Sequence, residues 1–308
     1  METPILFIIF NRKDTTERVF EVIRKAKPEK LYISADGPRQ DRPGEKEKCD
    51  AVRAITETID WPCEVKRLYR DKNLGCKKAV SSAITWFFEN EEQGIILEDD
   101  CLPDPTFFDF AGLMLSQYAN DSRIFHINGS NFIADELNKN IGTHDSYYFS
   151  KNVHVWGWAS WRRAWNAYDI EMTGIEESTT QKHILSQFKD RRIGKFWISL
   201  FKHIRNKQIN TWDAQWAYTI LKSNGVCITP VQNLIENIGF GSEGTHTQAQ
   251  SSFSQFSKKL SSIDIQELPS PHLEAELPIR QDLDSIVSHR LYIKSIYRKI
   301  WDKFKSVI

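Results

Sequence analysis

Apolar and polar positions alternate through the first 130 residues in two distinct periods. Short apolar runs at 5–10, 31–34 and 94–97 read as strands, and so does the segment 65–69. Between them, residues 15–25, 51–59 and 79–88 place apolar side chains at helical spacing. That order predicts an α/β fold, Rossmann-like, with a mostly parallel central sheet and flanking helices. Residues 107–118, introduced by Pro103 and Pro105, read as an amphipathic helix, and 123–127 as a further strand running into the turn Asn128-Gly129-Ser130. Ligands of such a sheet sit beyond the carboxyl ends of its strands.

The pattern changes from about residue 147. Long helices are predicted over 180–206 and 213–223, and a late strand over 225–229 is stopped by Pro230. Seven of the ten tryptophans, Trp156, Trp158, Trp161, Trp165, Trp197, Trp212 and Trp216, fall in this half. Such density has two readings, a core of large side chains or a platform on which sugar rings stack. Residues 251–284, rich in Ser, Gln, Glu and Pro, read as a linker. Residues 289–308 set Ile293, Ile296, Tyr297, Ile300, Trp301 and Phe304 on one helical face among Arg and Lys, a basic amphipathic helix. Its two readings are contact with an anionic membrane surface and packing on protein. The chain thus divides into a nucleotide-binding half at 1–130, an acceptor half of the same domain at 131–250, a linker at 251–288 and the terminal helix at 289–308.

Composition narrows the classes. The 308 residues carry 41 basic and 41 acidic side chains, so no global charge calls for nucleic acid. Five cysteines, odd in number and without a C-x-x-C pair, argue against a disulfide framework and a structural zinc site. No apolar run reaches the roughly 18 residues of a membrane helix. The expectation is a cytoplasmic protein, with peripheral contact at the inner face of the membrane if the terminal helix binds lipid.

The sharpest chemical signal is Glu98-Asp99-Asp100 directly after the apolar run 94–97. Three adjacent carboxylates at a strand end repel one another unless a cation compensates them, and hard oxygen ligands of this kind suit Mg²⁺ or Mn²⁺ bridging to phosphates. The bland alternative is a solvated acidic turn. Asn11-Arg12 after the first strand and Asp36-Gly37-Pro38-Arg39 after the second fall on the same predicted edge, where an arginine can pair with phosphate and an aspartate can accept from a base or ribose. Asp213 opens a predicted helix, a place where a lone aspartate is more often an N-terminal cap than a base. Residues 237–246 hold three glycines and end in His246, which reads as a mobile loop whose histidine is a second metal or phosphate contact or is incidental. His126 and His154 have no metal-ligand spacing and read as structural.

These segments resemble a known family, the inverting nucleotide-diphospho-sugar transferases of the GT-A fold, particularly the N-acetylglucosaminyltransferase I-like group and its bacterial relatives. The resemblance spans about residues 3–248 and rests on Phe10-Asn11-Arg12, Ser34-Ala35-Asp36-Gly37, Asn73-Leu74-Gly75, Leu97-Glu98-Asp99-Asp100-Cys101, Gly157-Trp158 and Trp212-Asp213. It implies that Asn11 and Arg12 meet the nucleotide, Asp36 the uracil or its ribose, Glu98 the donor sugar hydroxyls and Asp99 the ribose or sugar. It also implies that Asp100 is the main ligand of Mn²⁺ (or Mg²⁺) and Asp213 the base that deprotonates the acceptor. Trp156, Trp158 and Trp212 are the acceptor-binding candidates. Ala214 departs from the family, which carries a second carboxylate there.

The implied activity is metal-dependent inverting transfer of a sugar, N-acetylglucosamine among the candidates, from a UDP-sugar to a saccharide or lipid-linked saccharide, as in polysaccharide biosynthesis. Two rivals remain. A sugar-nucleotide nucleotidyltransferase would carry a glycine-rich phosphate loop after the first strand, where this chain has Phe10-Asn11-Arg12-Lys13-Asp14. A non-catalytic carbohydrate-binding protein would leave the acidic triplet without a purpose.

Overall fold

The computed structural model describes residues 1–135, 137, 146–207, 209–240, 260–264 and 277–289. The first strands are β1 (Ile5–Ile9), β2 (Lys30–Ala35), β3 (Glu64–Tyr69) and β4 (Gln93–Glu98), with β5 (Cys101–Pro103) and β6 (Ile124–Asn128) after them. The later strands are β7 (Tyr147–Ser150), β8 (Trp158–Trp161), β9 (Val226–Pro230) and β10 (Ile235–Asn237). The central sheet has the order β3-β2-β1-β4-β8-β6-β9-β7, and β10 pairs with β5 in a separate two-stranded ribbon. β3, β2, β1 and β4 run parallel; β8 is antiparallel to both β4 and β6, β9 is parallel to β6, and β7 is antiparallel to β9. Only β8 and β7 therefore run against the common direction of this sheet, which is mixed and mostly parallel, as the alternation of elements predicts.

Strand β1 is buried along its whole length, as a strand covered on both faces must be. Ile5, Phe7 and Ile9 join one core while Leu6 and Ile8 join the other, the period-2 division of a pleated strand. The first core is completed by α1 (Lys13–Ala26), α2 (Glu45–Ile55) and α4 (Thr106–Gln117) through Val19, Phe20, Val52, Phe107 and Phe110. The second is completed by α3 (Gly75–Asn90), α5 (Arg162–Trp165) and α8 (Asp213–Lys222) through Ile84, Phe87, Trp165, Trp216 and Ile220. The opposite face of α8 packs on α6 (Ser178–Ser186) and α7 (Arg191–Lys207), where Trp197, Phe201 and Tyr218 form a third cluster.

Three stretches differ from the sequence pattern. The single helix predicted over 180–206 is two, α6 and α7. Buried Phe188 anchors the break, and Asp190 Oδ1 accepts the Arg192 N–H at 2.9 Å, capping a new N-terminus. The helix predicted over 51–59 begins at Glu45, just past Gly44, whose φ of +77° is open to glycine. Within the stretch whose composition reads as linker, Gln281–Ser288 forms α9, docked by buried Leu283 and Val287 against Phe132 and Tyr148. Its buried Asp284 accepts from Ser150 Oγ at 2.6 Å, from the Lys151 N–H at 2.9 Å and from Asn152 Nδ2 at 3.0 Å. The basic helix predicted over 289–308 falls outside the described residues except for His289.

Candidate active site

Parallel register brings the ends of β1, β2 and β4 to one edge: Ile9 pairs with Ala35 and Ile8 with Glu98. The residues that follow, Asn11 and Arg12, Asp36 and Gly37, and Asp99 and Asp100, are thereby gathered along the carboxyl edge of the sheet, where α/β folds place ligands.

Arg12 is the electrostatic centre of that edge. Its guanidinium bridges two consecutive carboxylates, Nη2 donating to Asp99 Oδ1 and Nη1 to Asp100 Oδ2 at 2.7 Å. Asp99 is buried, and its second oxygen accepts the Phe10 N–H at 3.2 Å. Burial raises the Asp99 carboxyl above its usual range against the opposing pull of Arg12. Glu98 is pushed up to about 8, first by burial and then by repulsion from Asp100, with further contributions from Asp99 and Asp213 and with Arg12 opposing. Among the described residues its carboxylate has no hydrogen-bond partner.

Asp36 occupies a different kind of place. Its oxygens accept main-chain N–H groups from Leu74 at 3.0 and 3.1 Å, Gly75 at 3.1 Å and Gly37 at 2.9 Å. A carboxylate there satisfies the unpaired donors and the positive end of α3. Gly37 is required because a Cβ would overlap the main chain of Lys72. Asn11 Nδ2 donates to Glu45 Oε1 at 3.0 Å, and Glu45 also holds Arg39 through the Arg39 main-chain N–H and guanidinium. Glu45 is thus the organiser of this loop. Sequence reasoning missed it because its partners lie at separated chain positions.

Asp213, the first residue of α8, accepts from Thr211 Oγ1 and from the Ala214 N–H at 2.8 Å, both through Oδ1. Residues just before it reach across to α3: Asn210 Oδ1 accepts the Lys77 N–H at 2.8 Å. The contact sets Asp213 against the same site mouth. Its charge contributes to raising Glu98, and Asp213 joins Glu98 and Asp36 in raising the Cys76 thiol, which burial first pushes up to about 12. Two carboxylates 115 positions apart (213 − 98) are thereby brought into one electrostatic environment.

The three candidate acceptor tryptophans separate by burial. Trp158 and Trp212 are 0% and 3% exposed and stack on each other with centroids 5.7 Å apart, so both indoles are core side chains. Trp156 is partly exposed and meets Phe132 and Phe240 edge-on, at 5.0 and 5.5 Å. Phe240 follows Gly239, whose backbone lies so close that a Cβ there would overlap the Asp100 carboxylate and come within 2.7 Å of Arg12 Nη1. Trp156 is accordingly the one of the three that is not buried, and its ring meets the residue next to Gly239. His246 lies outside the described residues.

Among the described residues no group of three or more His, Cys, Asp or Glu side chains is arranged to hold a metal ion. The donor set does suit a hard cation that arrives with a diphosphate, because such ions take one or two carboxylates and complete their shell from phosphate and water. Asp100 and its neighbour Glu98 are the carboxylates that could serve, with the Gly239 backbone packed directly against Asp100.

No protein-family model matches the chain, and no curated protein sequence does. Solved structures similar to it include mouse xyloside xylosyltransferase 1 in its apo form, at 8% identity over 72% of this chain and 81% of that one, with a TM-score of 0.37. UDP-glucose pyrophosphorylase complexed with UDP-glucose matches at 11% identity over 79% and 96%, TM-score 0.36. HddC from Yersinia pseudotuberculosis matches at 9% identity over 52% and 77%, TM-score 0.30.

Proposed function

We propose that the protein is an inverting glycosyltransferase that takes a sugar from a UDP-sugar and, with a divalent cation, transfers it to a saccharide or lipid-linked saccharide acceptor. The observation that supports this reading is the meeting of Arg12 and Glu98-Asp99-Asp100, at the ends of adjacent strands, with Asp213 from the start of α8. Single displacement needs a cationic place for the leaving diphosphate and a carboxylate on the acceptor side.

In this reading Asp213 takes the proton of the acceptor hydroxyl through Oδ2, the oxygen not engaged by Thr211 and Ala214. The acceptor oxygen bonds to the anomeric carbon as the bond to the diphosphate breaks on the opposite face. Arg12 turns from Asp100 toward the diphosphate and meets its developing charge. Glu98 orients the sugar hydroxyls; Asp99, buried and paired, fixes Arg12. Asp36 acts through the backbone, holding the N-terminus of α3 at the nucleotide edge. Mn²⁺ or Mg²⁺ held by Asp100 would neutralise the leaving diphosphate. Trp156 supplies the aromatic face for the acceptor ring.

Calorimetric titration with UDP, with and without Mn²⁺, tests the donor half. Affinity should require the metal in the wild type and be lost in Asp100→Ala; metal-independent UDP binding that Asp100→Ala leaves unchanged would remove the metal assignment. A screen of nucleotide sugars separates the rival chemistry by product. Transfer releases a nucleoside diphosphate, whereas a nucleotidyltransferase forms or consumes pyrophosphate.

A further inference from the structure

Leu74 and Ile209 are the large apolar side chains that the described surface leaves most open, at 44% and 40% exposed. Single exposed apolar residues are ordinary on any protein. These two lie on segments that meet. Each adjoins in sequence a residue of the contact between α3 and the lead-in to α8, in which a Cβ on Gly75 would come within 2.8 Å of Asn210 Nδ2. Exposed Lys72 and Lys78 and the partly exposed Lys77 stand on the α3 side, beside Asp71, and exposed Arg205 and Lys207 end α7 just ahead of Ile209. Farther back on α7, Lys202 and Arg192 are already paired with Glu176 and Asp190.

We propose that this rim is a membrane-contact surface. The lysines and Arg205 meet anionic phospholipid headgroups, and Leu74 and Ile209 enter the boundary between headgroups and acyl chains. Two weak signals combined in this way produce stable yet reversible attachment, since basic side chains add attraction to a modest apolar insertion. The rim adjoins the contact of Asn210 with α3 that precedes Asp213. If the transferase reading holds, Asp213 works on the side of the molecule that faces the bilayer, and the acceptor class is a saccharide carried on a lipid.

The test is co-sedimentation of the full chain with vesicles of phosphatidylcholine alone and of phosphatidylcholine with phosphatidylglycerol. The wild type should bind only the anionic vesicles and be released by salt. Leu74→Ser/Ile209→Ser and Lys77→Glu/Lys78→Glu, both at exposed or partly exposed positions and each checked for a wild-type melting temperature, should each lower the partition coefficient about tenfold or more. Wild-type partitioning in both variants would overturn the proposal and assign any attachment to another segment, residues 290–308 included. So would a wild type that ignores anionic vesicles, or a dimer by light scattering that Leu74→Ser/Ile209→Ser converts to monomer, since the rim would then cover a second copy. Sugar transfer takes no part in this readout, so its failure and that of the transferase reading are separate results.

Discussion

At the scale of single residues, the interior settles protonation states that the sequence leaves open. His126 is fully buried, stacked on Trp158 at 4.9 Å, and uses both ring nitrogens. Nδ1 accepts from Trp216 Nε1 at 3.1 Å, so Nε2 carries the hydrogen donated to the His154 carbonyl at 3.0 Å. Protonation would set a second N–H against the indole N–H, and burial already lowers the ring to about 3. A base depressed in the folded state contributes stability that is present above its unfolded pKa, near 6.5, and is lost as pH falls toward the folded value. His126 therefore costs about 1.4 kcal/mol per pH unit on acidification through that window. Histidine ¹⁵N NMR should find its ring neutral at pH 5, and an imidazolium there would contradict the arrangement. Arg12 makes the converse case. In Arg12→Ala the buried Asp99 loses its partner, and unfolding in denaturant should show a loss of about 3–5 kcal/mol, partly restored by adding Asp99→Asn. An unchanged midpoint would mean that the ion pair is not formed.

At the scale of elements, the carboxyl edge is assembled by helix ends and one close backbone approach. Asp36 accepts three main-chain N–H groups of the Gly37 and 74–75 segments, so Asp36→Ala should destabilise the fold by about 2 kcal/mol, read by chemical denaturation. Gly239→Ala should disturb this edge directly. Its new Cβ meets the Asp100 carboxylate, the Asp100 Cβ at 2.8 Å and Arg12 Nη1 at 2.7 Å, so the segment must shift, the melting temperature should fall and UDP affinity should drop about tenfold. Wild-type UDP affinity in that variant would detach this segment from the site. The strand–helix alternation of residues 5–128 was legible because most elements there are amphipathic or fully apolar in their own period, with β3, at the sheet edge and partly exposed, the weakest of them. The break at 187–190 was not legible, because helical spacing continues across it and only Asp190 and buried Phe188 interrupt the ladder. Strand β8, Trp-Ala-Ser-Trp, was hidden by composition, since its two tryptophans stand three positions apart and send their rings to opposite faces of the sheet, which gives no period-2 signal.

At the scale of the whole molecule, the candidate site joins segments that no local pattern connects. The acidic triplet was legible as a strand end, and its place beside Arg12 followed from a parallel sheet. The core burial of Trp158 and Trp212 was not legible, because it depends on α8 folding back over β8. Nor was Asp36 as a clamp on α3, since its partners are main-chain groups 38 and 39 positions away. Asp213 reaches the site through the Asn210 contact with α3, and the proposed chemistry turns on that placement. The most direct test is an acceptor-dependent transfer assay on Asp213→Asn, with donor affinity measured on the same preparation. The amide keeps the shape but takes up no proton, so UDP-sugar binding should persist while transfer falls about 10²-fold or more, and the wild-type product from an α-linked donor should be β-linked. Transfer by the variant at the wild-type rate, or an α-linked product, would contradict an inverting reaction with Asp213 as its base.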